Sequence, residues 1–268
     1  MSDTGTLSPG GASSAVQSSK IFNATDADVV IRSADNVDFR LHKANLACAT
    51  GAFPPPETNS DEIVHLTESS ETLEILFQFI YPRRFPSLEK MNFDSLMLLA
   101  EAAEKYEVVA LIAVCDFNLR KFLPTQPKKI LEFAANHDYP ELIMKIAPLL
   151  AHTPLSKLVD ILPYHVYKPW SLFREQWLIA TKGVFGEISE HCCQDGSRQR
   201  PGSLTLHILV QLAKPIEPTP ARLDSIFDYR NNGYDSCCAA AATEWKTKIQ
   251  AKLDRVRQAL QLTLIPSK

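Results

Sequence analysis

Alternating apolar and polar positions predict where the folded part of the chain begins. Residues 27–31 form a short apolar run, residues 33–36 have the composition of a turn, and every second residue of 37–41 is apolar. This two-residue period is typical of a strand with one buried face, so the three segments predict a β-hairpin. Residues 62–66 predict a third strand.

Apolar residues spaced three and four apart predict helices further along. Such a stripe follows the serines at 69–70, either of which can cap a helix, and further stripes occupy 92–103 and 108–122. The buried stripe of the last segment is expected to contain Leu111, Ile112, Cys115 and Leu119. The order of hairpin, helix, strand and helices predicts an α+β domain at 21–123, in which helices cover a small three-stranded sheet.

The segment before this domain has a different composition. Residues 1–20 are dominated by Ser, Gly and Thr and contain almost no side chains that could pack. Burial of apolar surface therefore cannot offset the entropy of ordering them. We expect a disordered tail at 1–20.

The rest of the chain, 124–268, predicts an all-α extension. Residues 131–147 echo residues 98–114 at an offset of 33. The matched pairs include Leu98 with Leu131, Ala102 with Ala135 and Tyr106 with Tyr139. Because two copies are too few for a solenoid, the echo predicts a second helix hairpin in an extension that packs on the first domain.

The later part of the extension alternates between helical and irregular patterns. Trp170, Phe173 and Trp177 fall on one helical face and predict core, whereas 186–202 is polar, interrupted by Gly and Pro, and predicts a flexible insert. Another helix is expected at about 203–213, with mostly irregular chain at 214–234. A last helix is predicted at 236–264, with one apolar face formed by Trp245, Ile249, Leu253, Val256 and Leu260.

Composition and charge exclude several classes of protein. Lys and Arg number 28 against 31 Asp and Glu, a net charge of -3, so no overall positive field attracts nucleic acid or an anionic membrane. The last helix has a basic face, but no aromatic residues are interleaved with its charges. No run approaches the roughly 20 apolar residues of a membrane span, and no secretion signal is visible. We expect an intracellular protein, cytoplasmic or nuclear, with no nucleic-acid or membrane partner.

Cysteine pairs raise a metal hypothesis. Cys192 and Cys193 follow His191, and Cys237 and Cys238 begin the last predicted helix, so the five could provide soft ligands for zinc. Adjacent cysteines point in different directions and share one ion poorly, so a structural zinc site is the weaker interpretation. We expect no metal, no cofactor and no disulfide framework, since a reducing compartment keeps these residues as thiols.

No common enzyme motif occurs in the chain, and we expect no catalytic residues. Phosphate-binding Gly-rich loops, nucleophile elbows and zinc-protease helices are all missing from the sequence. His42, beside Lys43, lies where the alternating strand passes into a helix. A catalytic histidine needs a nucleophile and an orienting acid in hydrogen-bond reach, and although Asp28 and Cys48 are near in sequence, nothing fixes such a geometry. His42 is therefore interpreted as a packed, hydrogen-bonded residue.

Four stretches together resemble the BTB/POZ family. "ADVVI", "FRLHKANL", "EIVHLTESSETLEILFQFIYP" and "LLAEAAEKYEVVALIAVC" follow one another in the order usual for that fold, over nearly all of 25–122. The resemblance implies the BTB/POZ fold followed by the helical extension. It also implies that His42 lies at the base of the first helix, and that Asp28 and His42 are structural markers of the fold.

The extension is itself similar to a known region. Through "HDYPELI", "KPWSLFREQW" and "DSCCAAAATEW" it resembles the C-terminal part of BTB proteins from mushroom-forming fungi. Members of that group are mostly uncharacterised, so this resemblance implies a fold more than an activity.

The resemblance implies protein partners: other copies of the chain, in a homodimer, and cullin-type ubiquitin ligase scaffolds. Strand-swapped family dimers carry a helix before the first strand, which this chain replaces with a Ser/Gly-rich segment. The family's cullin-docking loop corresponds to 53–62, which is short and contains three consecutive prolines. These favour an extended conformation that could present the loop to a partner, although a stiff connection is the simpler interpretation. The candidate partner-binding residues are Phe53, Pro54, Pro55, Pro56 and Glu57.

These observations predict a non-enzymatic protein-interaction module. Its sharper form is an adaptor or scaffold that brings substrates to a cullin ubiquitin ligase. The alternative is a self-associating regulator, transcriptional or signalling, that does not bind a cullin. A structural zinc-binding protein is the remaining hypothesis.

Overall fold

The computed structural model describes residues 15–53, 62–187, 208, 220–228 and 236–264. The chain divides into two compact units, Met1–Lys121 and Phe122–Lys268. The first unit combines a sheet with helices, and the described part of the second is helical.

A four-stranded sheet forms the base of the first unit. Its strands are β1 (Gln17–Asn23), β2 (Val29–Arg32), β3 (Val37–Leu41) and β4 (Ile63–His65), in the order β1-β3-β2-β4. The predicted hairpin is confirmed, since β2 and β3 pair antiparallel around a turn at Asn36, where φ is 62°. The third predicted strand is β4, which pairs parallel with β2.

Strand β1 corrects the expectation of three strands. It pairs parallel with β3 and begins inside the segment 1–20 that we expected to be disordered; residues 1–14 lie outside the described chain. Only Ser19 and Phe22 of β1 are buried. The Phe22 ring meets Phe39 and Phe77 at centroid distances of 6.2 and 5.8 Å. A domain boundary at 21 would cut this strand in two.

Four α-helices belong to the described part of the first unit. They are α1 (Lys43–Ala49), α2 (Ser70–Gln78), α3 (Phe93–Lys105) and α4 (Val109–Leu119). The hydroxyl of Ser69 caps α2 by accepting from the Thr72 N–H (3.4 Å), and Asn92 caps α3 by accepting from the Ser95 N–H (2.9 Å). The core contains the fully buried side chains of Ile31, Phe39, Leu41, Leu73, Leu76, Phe77, Leu96 and Leu99. The predicted α+β class is confirmed.

The described α-helices of the second unit are α5 (Pro127–Asn136), α6 (Pro140–Leu150), α7 (Tyr164–Glu187), α8 (Pro220–Phe227) and α9 (Ser236–Leu264). Trp170, Phe173 and Trp177 are buried as predicted, and α9 has the predicted bounds and packs on α6, α7 and α8. Helix α8 corrects the expectation of irregular chain at 214–234. Its short apolar stripe of Leu223, Ile226 and Phe227 is buried.

Two predicted segments fall almost entirely outside the described residues. The expected insert at 186–202 is described only at its first two residues, which end α7. The expected helix at 203–213 is described only at Ile208, which is helical and buried. Both the insert and the helix stay predictions.

The predicted similarity between the two helix pairs is present, but the predicted offset of 33 residues is wrong. Each pair turns through one residue of positive φ, Glu107 (51°) between α3 and α4 and Asp138 (56°) between α5 and α6. The next residue closes the same hydrogen bond in both turns: the Val108 N–H donates to Ala103 O (2.9 Å) and the Tyr139 N–H to Ala134 O (2.8 Å). The pairs therefore match at a shift of 31 residues rather than 33. Buried residues coincide at this shift: Ala100 with Leu131, Leu111 with Leu142, Cys115 with Ile146, and Leu119 with Leu150.

Candidate partner-binding surface

Helix α4 is apolar on two faces but buried on only one. Apart from Asp116 and Asn118 it consists of apolar residues, a pattern typical of a helix enclosed on all sides. Its inner face, with Leu111, Cys115 and Leu119, is buried as predicted. Its outer face is open: Val109 is 73% exposed, Phe117 is 68% exposed, and Ala113 between them is exposed. We call Val109, Ala113 and Phe117 the α4 face.

Polar side chains are organised beside the α4 face. Asp116 and Arg120, one helical turn apart, form an ion pair. The Lys121 ammonium donates to Asn118 Oδ1 (2.9 Å) and lies 5.9 Å from the centroid of the Phe117 ring. These contacts leave an apolar surface with a charged border, which is the usual anatomy of a protein interface.

A second cluster lies at the end of α3, around Tyr106. The Tyr106 hydroxyl donates to Glu68 Oε2 (2.6 Å), and the Lys105 ammonium donates to Glu68 Oε1 (2.7 Å) and to the Thr67 hydroxyl (3.0 Å). Burial and then the Glu68 hydrogen bond raise the pKa of Tyr106 to about 12. Burial acts to raise the pKa of Glu68, but the hydrogen bonds from Lys105 and Tyr106 outweigh it and hold that pKa below its usual value. The cluster fixes the end of α3 to the β4–α2 connection.

Phe53, the first residue of the predicted proline loop, packs against this cluster. Its ring stacks on Tyr106 with a centroid distance of 4.5 Å and an interplanar angle of 17°, and it lies 6.2 Å from the Phe77 ring. Phe53 is half-buried, so much of its ring is already used within the domain. Pro54, Pro55, Pro56 and Glu57 lie outside the described residues. A partner-binding role for 53–57 stays a prediction.

His42 lies at the start of α1 in a network of hydrogen bonds. Its backbone N–H donates to the Tyr81 hydroxyl (3.1 Å), its Nδ1 lies 3.1 Å from the same oxygen, and its Nε2 lies 3.4 Å from Asp26 Oδ1. Asp28 bridges strand and helix, since its Oδ1 accepts from the Lys43 N–H (2.7 Å) and its own N–H donates to Leu41 O (3.1 Å). These contacts support the interpretation of Asp28 and His42 as structural residues.

The cysteines and possible metal ligands can be placed only in part. His191, Cys192 and Cys193 lie outside the described residues, and only the backbone of Cys237 and Cys238 is described, at the start of α9. Among the described side chains, no group of three His, Cys, Asp or Glu residues is placed to hold a metal ion. Cys115 is buried, and burial followed by the nearby Glu104 raises the pKa of its thiol to about 12, so it stays protonated at neutral pH.

Within the described part of the chain, no helix has the length and apolar character required to cross a bilayer. The longest described helices, α7 and α9, carry charged residues along their length.

Comparison with known proteins identifies the first unit. Residues 19–123 match the model of the BTB/POZ domain family, so this part of the chain is a BTB/POZ domain, as the sequence predicts. BTB/POZ domains mediate protein–protein interactions, including dimerisation, and the family is generally non-enzymatic. No curated protein matches the chain. The similarity of the extension to fungal BTB proteins stays a prediction.

The α4 face was not predicted from the sequence, although a signal was present. Only the stripe of Leu111, Ile112, Cys115 and Leu119 was recognised, and it was assigned to the core. Val109, Ala113 and Phe117 form a second stripe on the opposite side, at spacings of four. An apolar residue set on both sides of a helix indicates two packing partners, and the described residues of the domain supply only one.

Proposed function

We propose that the chain is a non-enzymatic adaptor or scaffold whose BTB/POZ domain binds another protein through the α4 face. The observation that carries this proposal is that Val109 and Phe117 are 73% and 68% exposed on a helix of the BTB/POZ domain. Aromatic side chains on exposed apolar surfaces are the groups that contribute most to binding when a partner buries them. We place this activity inside the cell.

The sharper version is a substrate adaptor for a cullin-type scaffold. In this version the BTB/POZ domain binds the scaffold and the helical extension binds the client. Support comes from the family match, since BTB/POZ domains act through protein contacts, and from the charged border of the α4 face. Phe53, the first residue of the predicted proline loop, stacks on Tyr106 of the same domain.

The alternative is a regulator that associates with itself. One observation favours it: β1 is an edge strand, and both Ile21 on it and Val16 just before it are exposed. An open edge with apolar side chains is a template for pairing with a second chain. The register shift between Ser18 and Asn23 weakens such pairing, which is why we place this function second.

The test compares three forms of the full chain. Phe117→Glu places a charge on the α4 face, and Ile179→Glu places one on an α7 residue of similar exposure, 63%, in the second unit. Tagged proteins are used to recover partners from an extract of the source cells, partners are identified by mass spectrometry, and each binary complex is rebuilt from purified components. Sedimentation velocity over a range of concentrations measures self-association.

We expect partners that bind wild type and Ile179→Glu and bind Phe117→Glu about tenfold more weakly or less. A cullin among them supports the adaptor version. A mass that doubles with concentration, without a cullin, supports the regulator. Recovery of the same partners by all three forms would contradict the assignment of function to the α4 face.

A further inference from the structure

A cavity of about 450 Å³ lies within the second unit, and none of its described lining residues belongs to the BTB/POZ domain. Described residues from four segments line it: the α5–α6 turn, the starts of α6 and α7, and the end of α9. Its volume falls in the range of about 300–1,000 Å³ that is usual for small-molecule sites. The cavity has no part in the proposed function.

The inner lining of the cavity is apolar. Ile143 on α6 and Val166 on α7 are 1% and 2% exposed. Pro140 and Leu264, both half-buried, extend this apolar surface, and Pro140 has no backbone N–H to add a donor. This part of the cavity can therefore hold an apolar group.

The polar lining residues lie on the solvent side. The side chains of Asp138 and His165 are 83% and 58% exposed, and Asp138 Oδ1 lies 3.1 Å from His165 Nε2. The Thr263 hydroxyl donates to Leu260 O (2.8 Å) within its own helix, so its oxygen is left as an acceptor. The contact with His165 likewise leaves Asp138 Oδ2 as an acceptor.

The turn between α5 and α6 fixes the backbone that carries Asp138. Its φ is 56°, and the following N–H, that of Tyr139, donates to Ala134 O (2.8 Å) and closes the turn. The carboxylate is therefore carried on a defined backbone before any ligand binds. Such preorganisation lowers the entropy lost on binding.

The lining selects a ligand by charge and by hydrogen bonding. The Asp138 carboxylate attracts a cation and repels an anion, whereas His165 is charged only when it is protonated. A protonated amine provides several N–H donors on one positive charge, which suits the two acceptors left by Asp138 and Thr263. A neutral apolar molecule would use the inner lining alone.

We propose that the second unit binds a small apolar amine in this cavity. The ammonium group donates to Asp138 Oδ2 and Thr263 Oγ1, and the apolar body packs against Ile143 and Val166. The ligand then contacts both the α5–α6 turn and the end of α9, which are far apart in the sequence.

The test titrates the full chain with three probes that have the same ring and different charges. Cyclohexylmethylamine is the cation, cyclohexylmethanol is neutral, and cyclohexanecarboxylate is the anion. Binding is followed by NMR of isoleucine methyl groups, in which the Ile143 signal is assigned by its absence from Ile143→Val.

Two pairs of variants separate the charge from the cavity. Asp138→Asn removes the carboxylate and keeps a residue that tolerates the left-handed turn, and Glu107→Gln makes the matched change at the turn of the first unit, where φ is 51°. Leu264→Trp fills the cavity from the end of α9, and Leu262→Trp adds the same ring at a neighbour that is 80% exposed. Circular dichroism checks that each variant is folded.

We expect the amine to shift the Ile143 signal and to bind about fivefold more tightly than the alcohol, with the carboxylate weakest. Asp138→Asn should abolish the preference for the amine, whereas Glu107→Gln should keep it. Leu264→Trp should weaken the amine by about tenfold or more, and Leu262→Trp should leave it unchanged.

Several results would overturn the inference. They are an Ile143 signal that no probe shifts, equal affinity for the three probes, a preference for the carboxylate, or a preference for the amine that survives in Asp138→Asn. Unchanged binding to folded Leu264→Trp would place the amine outside the cavity. If Leu264→Trp does not fold, the Ile143 signal and the Asp138→Asn titration still decide between these outcomes.

Discussion

The hairpin of α3 and α4 and the hairpin of α5 and α6 share a turn and a buried stripe, and they differ in what covers their second helix. Val109 and Phe117 are open to solvent, whereas their counterparts Pro140 and Pro148 are partly or fully buried. The turn and the inner stripe therefore determine the geometry of the hairpin. The outer face is independent of that geometry, so it can complete a core in one unit and remain available for binding in the other.

The largest expected effect on stability tests whether the two helix hairpins align at a shift of 31 residues or of 33. Leu98 and Leu131 correspond at 33, but Leu131 is fully buried and Leu98 is 62% exposed. We expect Leu131→Ala to lower the free energy of unfolding by about 2–5 kcal/mol, because it leaves a cavity. Leu98→Ala should change it by less than about 0.5 kcal/mol. Urea unfolding followed by circular dichroism measures both, and equal losses would restore the shift of 33.

The next largest effect on stability is expected from the contact that the residue at the end of the first helix makes in each hairpin. Tyr106 donates to Glu68, whereas its counterpart His137 packs against Phe133 of its own helix, with centroids 4.7 Å apart. We expect Tyr106→Phe to cost about 1–2 kcal/mol, because a hydrogen bond to a half-buried carboxylate is lost. Tyr164→Phe, at an exposed tyrosine, is the control and should cost nothing measurable. An unaffected melting temperature in Tyr106→Phe would contradict the role of the cluster.

This cluster also predicts a pH dependence with a definite sign. Because the folded-state pKa of Glu68 lies below its usual value of 4.5, Glu68 stabilises the fold above that pH, and this contribution is lost as the pH falls through the folded-state pKa. Removing the Tyr106 hydroxyl should raise that pKa toward 4.5 and reduce the loss. Unfolding free energies of wild type and Tyr106→Phe between about pH 3 and 6 measure the difference. A constant difference across this range would exclude the coupling.

A smaller effect is expected at the two turns. Glu107 and Asp138 both have positive φ, a conformation that costs a non-glycine residue about 1–2 kcal/mol. We expect Glu107→Gly to stabilise the protein by about 0.5–1 kcal/mol after the entropy gained by the unfolded chain is subtracted. Asp138→Gly should gain less, since Asp adopts this conformation more readily and Asp138 Oδ1 also lies 3.1 Å from His165 Nε2. Thermal melts of the two variants compare the turns directly, and a larger gain at Asp138 would reverse the ranking.

The smallest effect on stability is expected on the α4 face. Phe117→Glu should change the free energy of unfolding by less than about 0.5 kcal/mol, because its side chain makes few contacts within the chain. We expect Phe117→Glu to weaken partner binding alone. A large loss of stability would indicate that the face is part of the core.

Much of the fold follows from patterns of spacing. The β2–β3 hairpin, α2 and α9 were predictable because each repeats one period over its whole length and, for α2, begins at a capping serine. Strand β1 was not, since only Ser19 and Phe22 of its seven residues are buried and its parallel partner is β3 rather than the next strand along the chain. The repeat register failed because matching identical letters aligned two tyrosines of different roles. Tyr106 ends α3, whereas Tyr139 precedes α6.

The candidate site was less accessible to sequence reasoning than the fold. A stripe of apolar residues predicts burial but does not say what buries it, so Val109 and Phe117 could be recognised only when their exposure in the folded chain was known. The role of His42 was easier to predict, because a single polar residue at the junction of a strand and a helix has few possible roles. Its contacts with Tyr81 and Asp26 involve residues that no short motif would have joined.

The order of strands in the sheet also has a consequence for how the first unit assembles. Strands β2 and β3 are joined by residues 33–36 and can pair through local contacts. Strand β4 can pair with β2 only after the intervening chain closes a long loop, and β1 must pass the hairpin before it reaches β3. Local pairing is fast and loop closure carries an entropy cost, so the hairpin forms early and the two edge strands join later. We expect opening to follow the reverse order, so that amide protons of β1 and β4 exchange with solvent before those of the central pair.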